Sequence, residues 1–152
     1  MAEQVSRQAA KVAAGTKMAP NEAYGKVRNI TITSPATVTW ANGDTIASPV
    51  ILPVGTRILC GSYISCQDMG TSITADLGLR DTSGTAIDLD GIAAAIDVAS
   101  AAVRSVANNG ALVKDGVEYV TTVPSVLVLT LAGGTPTANA QIRADIQVCT
   151  AD

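Results

Sequence analysis

Three features of the sequence predict an all-β fold: an antiparallel β-sandwich or jelly roll with one short helix and an extended N-terminal arm. First, 28 Val plus Ile stand against 9 Leu, with 27 Ser plus Thr. Branched side chains pack well on a pleated surface and lose χ1 freedom in a helix. Second, several segments alternate apolar and polar residues with period two, as half-buried strands do. Third, turn residues recur at short spacing between those segments, the rhythm of a sandwich or barrel. The 152 residues suit one domain. A chain this size buries about 68% of its extended surface on folding, enough for a core without disulfide or metal staples.

Charge divides the chain into an arm, 1–21, and a sandwich domain, 22–152. Residues 1–28 carry Arg7, Lys11, Lys17, Lys26 and Arg28 against Glu3 and Glu22, while the rest is acidic and the whole chain has a net charge of −3. Val5, Ala9 and Val12 make a short helical stripe that Gly15, Thr16 and Pro20 break. One such stripe buries too little to offset its ordering entropy, so the arm is expected to order only on a partner.

The body follows element by element. Ile30 and Ile32 alternate with Asn29, Thr31 and Thr33 in a first strand. Ser34-Pro35 and Asn42-Gly43-Asp44 read as turns around a short strand at Thr37–Trp40, and Val50-Ile51-Leu52 stops at Pro53 and Gly55. Thr56–Gln67 reads as one strand, closed by Met69-Gly70. Ile73, Ala75, Leu77 and Leu79 oppose Thr74, Asp76, Gly78 and Arg80. Ile142, Ala144, Ile146 and Val148 oppose Gln141, Arg143, Asp145 and Gln147 in the same way. Each pattern predicts one core face and one wet face.

Two segments break the period-two rule. Ile92, Ile96, Ala99 and Val103 recur at i, i+4, i+7 and i+11, which with abundant Ala predicts a short helix within Asp90–Val106, capped by Asp90. Val126-Leu127-Val128-Leu129-Thr130-Leu131 is apolar on both faces. One face serves the core; the other needs cover from a loop or a second copy, and the second copy is expected, so Val126, Leu127, Val128, Leu129 and Leu131 are the candidate self-interface. Gly133-Gly134-Thr135-Pro136 reads as a hairpin turn.

Composition excludes much chemistry. With no His there is no Ser-His-Asp or Cys-His nucleophile and no His metal site. Net negative charge argues against neutralising nucleic-acid phosphates. No apolar run reaches the ~18 residues that span a bilayer, and the N-terminus lacks a secretory core, so a soluble, cytosolic chain is expected. Cys60, Cys66 and Cys149 are odd in number. On one strand Cys60 and Cys66 would lie ~20 Å apart, beyond the ~7 Å reach of a disulfide. A bridge from Cys149 to either stays open geometrically, but in a cytosolic protein free thiols are expected.

The remaining candidates are weak. Asp88 and Asp90 before Gly91, with Asp97 downstream, could offer oxygen ligands to a hard cation, but the spacing of a calcium loop is absent. No metal or other cofactor is expected. Asp76, Asp81 and Asp145 are the carboxylates that a hydrolase would need to bring together. For sugar stacking only Trp40, Tyr24, Tyr63 and Tyr119 exist, and Trp40 reads as a core or interface anchor. The tripeptide Asn29-Ile30-Thr31 matches a glycosylation signal without consequence in a cytosolic protein. No enzyme is expected.

An ordered run of motifs remains: Gly25-Lys26-Val27-Arg28, then Asn42-Gly43-Asp44, then Leu52-Pro53-Val54-Gly55-Thr56-Arg57-Ile58-Leu59, then Gly70-Thr71-Ser72-Ile73-Thr74 with Gly78-Leu79. Over residues 22–150 this run resembles the jelly-roll cement, or decoration, proteins of tailed bacteriophages. The resemblance implies a non-enzymatic structural protein on the outer surface of a phage head, assembled in the host cytoplasm. It implies the major capsid protein as partner, a homodimer or homotrimer, and no contact with nucleic acid or membrane. The basic arm would then dock on the shell through Arg7, Lys11, Lys17, Lys26 and Arg28. The alternative is a fibre or adhesin-type sandwich that binds a glycan.

Overall fold

The computed structural model describes residues 7–17, 25–59, 61–106, 110–113 and 119–150. Among the described residues nine strands form two antiparallel sheets: β1 (Lys26–Thr33), β2 (Thr45–Leu52), β3 (Arg57–Ile58), β4 (Tyr63–Cys66), β5 (Thr74–Asp81), β6 (Ala86–Asp97), β7 (Ala102–Ser105), β8 (Ser125–Ala132) and β9 (Ile142–Thr150). One sheet runs β1-β9-β4-β7, with β3 also paired to β9; the other runs β2-β8-β5-β6. Of the sequential strand pairs, β5 and β6 share a ladder; most other connections pass from one sheet to the other. That is the jelly-roll plan of two interleaved Greek keys.

The core lies between the sheets. Ile73, Ala75, Leu77 and Leu79 are buried from one side, and Ile142, Ala144, Ile146 and Val148 from the other, as their alternation predicts. Trp40 is buried and donates its indole N–H to the Ala140 carbonyl at 3.0 Å, so it anchors a loop to the core.

Four expectations are corrected. The predicted helix within Asp90–Val106 is instead the second half of β6 followed by β7. The helix described, α1 (Arg7–Ala13), lies in the arm. It ends in a Schellman motif: Gly15 takes φ +67°, its N–H bonds Val12 O at 3.0 Å, and Thr16 N–H bonds Lys11 O at 2.8 Å. Val12 is exposed and Val5 lies outside the described residues.

The stretch 56–67 is two strands, because Gly61 turns the chain at φ +110°. No strand forms at Thr37–Trp40. There, Asn139 mimics a partner, accepting from Val38 N–H at 3.0 Å through its side chain and donating its own N–H to Val38 O at 2.9 Å. Finally, Gly133–Pro136 is no hairpin: it leads from β8 in one sheet to β9 in the other. Gly133 has φ +94°, and a Cβ there would run into the Ser72 carbonyl.

Strand β6 departs furthest from regularity. Leu79 pairs with Asp88 but Leu77 with Ala93, so β6 carries extra residues that leave the ladder. Further along, Ala95 takes φ +52° and gives its N–H to the Asp76 carboxylate at 2.7 Å, pinning a second irregularity. Against the first bulge packs the segment after β7: Gly110 N–H bonds Ile92 O and Leu112 N–H bonds Gly91 O. A Cβ at Gly110 would collide with the Gly91–Ile92 backbone, and one at Gly91 with the Leu112 and Asp88 side chains.

Candidate functional site

The structure rearranges the predicted self-interface on β8. Leu127, Leu129 and Leu131 point into the core and are at most 1% exposed. Val128 faces the other way yet is also 1% exposed. Its register partner Gly78 shares that face, and the Asp88–Leu89 backbone closes over Gly78 so tightly that a Cβ would collide with it. The second apolar face of β8 is thus covered from within the chain. Four of the five predicted interface residues are corrected to interior positions, leaving Val126 partly accessible.

The basic residues fall in two places. Arg7 and Lys11 lie on α1 and Lys17 just beyond it, whereas Lys26 and Arg28 belong to β1, the terminal strand of its sheet. The arm and the edge of the body share the cationic set.

The outer face of the β1-β9-β4-β7 sheet is polar and ordered. Arg143 grips Asp145, two residues along β9, with contacts of 2.7 and 2.9 Å. Thr31 donates its hydroxyl to the same carboxylate at 2.7 Å, and the Asn29 amide lies at 3.4 Å. Burial pushes the Asp145 carboxyl up, but the Arg143 hydrogen bond and charge, with Thr31 and Asn29, outweigh it and hold the group below the usual carboxylate range. A folded-state pKa below the unfolded one stabilises at pH above the unfolded value and loses that stabilisation as pH falls through the folded value. The stability advantage of the wild type over Asp145→Asn should therefore be full above about pH 5. It should shrink as pH falls through the unfolded pKa of about 3.9 towards the lower folded value. Urea titrations at several pH values check this; an advantage that grows on acidification contradicts it.

The other candidates do not converge. Asp76 lies on the outer face of β5, Asp81 at the end of β5, and Asp145 on the outer face of β9 in the opposite sheet, so the hydrolase carboxylates do not gather. Asp81 instead caps the β5–β6 turn, bonding Ser83 and Thr85, which lowers its pKa. Burial, then a carboxyl–carboxyl hydrogen bond with Asp90, raises the Asp88 pKa, opposed by the Asp90 N–H that donates to it at 3.4 Å. Asp97 is at the far end of β6, 3.6 Å from Arg104. Among the described residues no three acidic, Cys or His side chains gather as metal ligands. Cys66 and Cys149 are both buried, and burial pushes the Cys66 thiol up; Cys60 lies outside the described residues. Trp40, enclosed by the core, offers no stacking platform for a sugar. Among the described residues no helix is long and apolar enough to cross a membrane.

Two hollows mark the surface. One, of about 200 Å³, lies among Thr33, Ser65, Gln67, Gln141 and Arg143. The other, of about 240 Å³, separates β1 from β2 and is lined by Arg28, Ile30, Val50, Ile51, Pro53 and Val148. Neither holds an acid–base pair or a nucleophile with a base. The exposed apolar side chains Val50 and Ile51 sit at this second opening, which sequence alternation alone does not single out because β1 and β2 are neighbours only across the sandwich.

The two sheets define a fold, the antiparallel jelly-roll sandwich. A chain of the cyanophage Pam1 capsid asymmetric unit shares it, with a TM-score of 0.51 and 21% identity over 98% of this chain and 99% of that one. Looser similarity extends to the capsid of Helicobacter pylori bacteriophage KHP30, at 15% identity over 84% and 95% of the two chains and a TM-score of 0.47. It extends also to infectious bursal disease virus strain Gx, at 14% identity over 81% of this chain and 32% of that one, with a TM-score of 0.41. No protein-family model and no curated protein sequence matches the chain.

Proposed function

We propose that the chain is a structural, non-enzymatic protein of a bacteriophage virion, a cement protein that sits on the outside of the head and ties neighbouring capsomers together. The observation that carries this reading is the whole-chain likeness to a chain of a cyanophage capsid asymmetric unit, end to end in both proteins. The motif run over residues 22–150 agrees with it. A cement protein must resist the outward load of packaged DNA, and a two-sheet sandwich whose strands pair across distant parts of the sequence is rigid enough to carry load. Its partner is the major capsid protein. The arm, with Arg7, Lys11 and Lys17, adds a second point of attachment, and two tethered contacts bind more tightly than either alone.

The test is rebinding to expanded phage heads stripped of this protein, followed by pelleting and by electron cryomicroscopy. Full-length protein is expected to bind saturably on the outer surface and to raise the temperature at which the heads rupture. A version lacking residues 1–19 should bind at least about tenfold more weakly. Absence of binding, or assembly of closed shells by this chain alone, overturns the cement role. Equal binding of the two versions overturns the role of the arm.

A further inference from the structure

A sandwich of two open sheets has four strand edges, each able to recruit another chain unless something blunts it. Three edges here are blunted. Strand β2 contains Pro49 and a register break between Ala47 and Ile51; β6 is broken by bulges; β7 spans only Ala102–Ser105. Strand β1 is different. Its eight residues pair with β9 in unbroken register from Lys26↔Thr150 to Thr33↔Arg143, without proline or bulge.

Which backbone groups that edge presents follows from the ladder. Ser34 N–H bonds Ile142 O at 2.9 Å, in the register that continues β1. Even-numbered residues of β1 therefore exchange their bonds with β9. The N–H and C=O groups of Val27, Asn29, Thr31 and Thr33 point away from it, and no backbone hydrogen bond joins them to another described residue.

We propose that β1 is the self-association edge: two copies of this chain pair their β1 strands antiparallel about a two-fold axis, making one continuous sheet across the dimer. The charge pattern selects a second copy in this orientation. Lys26 and Arg28 occupy one end of β1 and the other end is uncharged. Set antiparallel with Asn29 opposite Thr31 of the partner subunit, Val27 meets Thr33 of the partner subunit and the two cationic ends lie far apart. A parallel partner would place like charges side by side, which destabilises a strand pair. Alongside the edge, Ile51 is 58% and Val50 45% exposed, and the hollow between β1 and β2 opens there. The same two-fold contact covers this apolar strip, which the backbone bonds alone would leave wet.

Sedimentation equilibrium on the full chain, with no phage heads present, tests the edge apart from the cement role. A dimer is expected at micromolar concentration. Asn29→Pro removes an N–H that β9 does not use, so the fold should survive while the dimer weakens at least about tenfold; Asn29→Ala should remain dimeric. Amide hydrogen exchange of the wild type supplies a readout that needs no variant. Protection at Val27, Asn29, Thr31 and Thr33 should rise at least about tenfold between monomeric and dimeric concentrations, while Ile30 and Ile32 are already slow at both. A monomer at about 50 μM, a trimer, a folded Asn29→Pro variant with wild-type dimerisation, or concentration-independent exchange at the four edge amides would each overturn the proposal.

Discussion

Leu129→Ala is expected to lower the free energy of unfolding by about 3–4 kcal/mol, with an unchanged denaturant slope. Leu129 is 0% exposed at the middle of β8, paired with Ile46 on one side and Leu77 on the other. Neighbouring strands on both sides cannot close the space, so truncation costs the transfer energy of the lost carbons and the unfilled cavity together. The measurement also separates two accounts of this strand. If Leu129 belonged to an interface between copies, its truncation would change the dependence of the melting temperature on protein concentration. As a core residue it shifts the melt equally at every concentration. Urea titration and calorimetry at two concentrations read both quantities, and a loss below about 1 kcal/mol contradicts the core assignment.

Gly78→Val should cost about 3 kcal/mol or more, from lack of space. The backbone at Gly78 does not adopt the left-handed conformation that favours glycine; what it lacks is room, since a Cβ would collide with the Asp88 carbonyl and the Leu89 backbone. To accommodate valine, the β6 bulge must lift from the outer face of β5, exposing Val128 alongside. Gly84→Ala provides the contrast. Gly84 has φ +95° in the β5–β6 turn but nothing near its missing Cβ, so it should lose only about 1 kcal/mol, from conformation alone. Equal stability of the two variants would falsify the close approach of the bulge.

Those same two places explain how far the sequence was legible. Strands β5 and β9 announce themselves because each keeps an unbroken register with a neighbour and turns its apolar positions to one face, so the sequence alternates with the pleat. Strand β6 hides because its bulges add residues that shift the pleat. Ile92 and Ile96 both reach the core, yet with Ala95 turned to φ +52° between them their spacing imitates a helical stripe. Alanine's helix propensity reinforces the wrong reading, and the tertiary contact that overrides it, from Ala95 to Asp76, spans nineteen positions in sequence. Strand β8 misleads for a related reason. A run apolar on both faces says that both are covered without saying by what, and the cover turns out to be a bulge from a strand whose own pattern was obscure. The basic residues of the arm were visible as charge, but the open edge of β1 was not. An edge is defined by having a neighbour on one side and none on the other, and the neighbour of β1, β9, lies more than a hundred residues away.

The pairing of Lys26 with Thr150 also fixes how this body meets a pulling force. Chain leaving β1 towards the arm and chain leaving β9 depart from the same end of one ladder. Tension between those two exits would open the ladder rung by rung, like a zipper, with one hydrogen-bonded pair bearing the load at a time. Tension entering at the arm and leaving through the far end of the sandwich would instead shear the whole β1–β9 ladder at once. A tether through the arm is therefore mechanically sound only when the opposing grip is taken elsewhere on the body than at the end of β9.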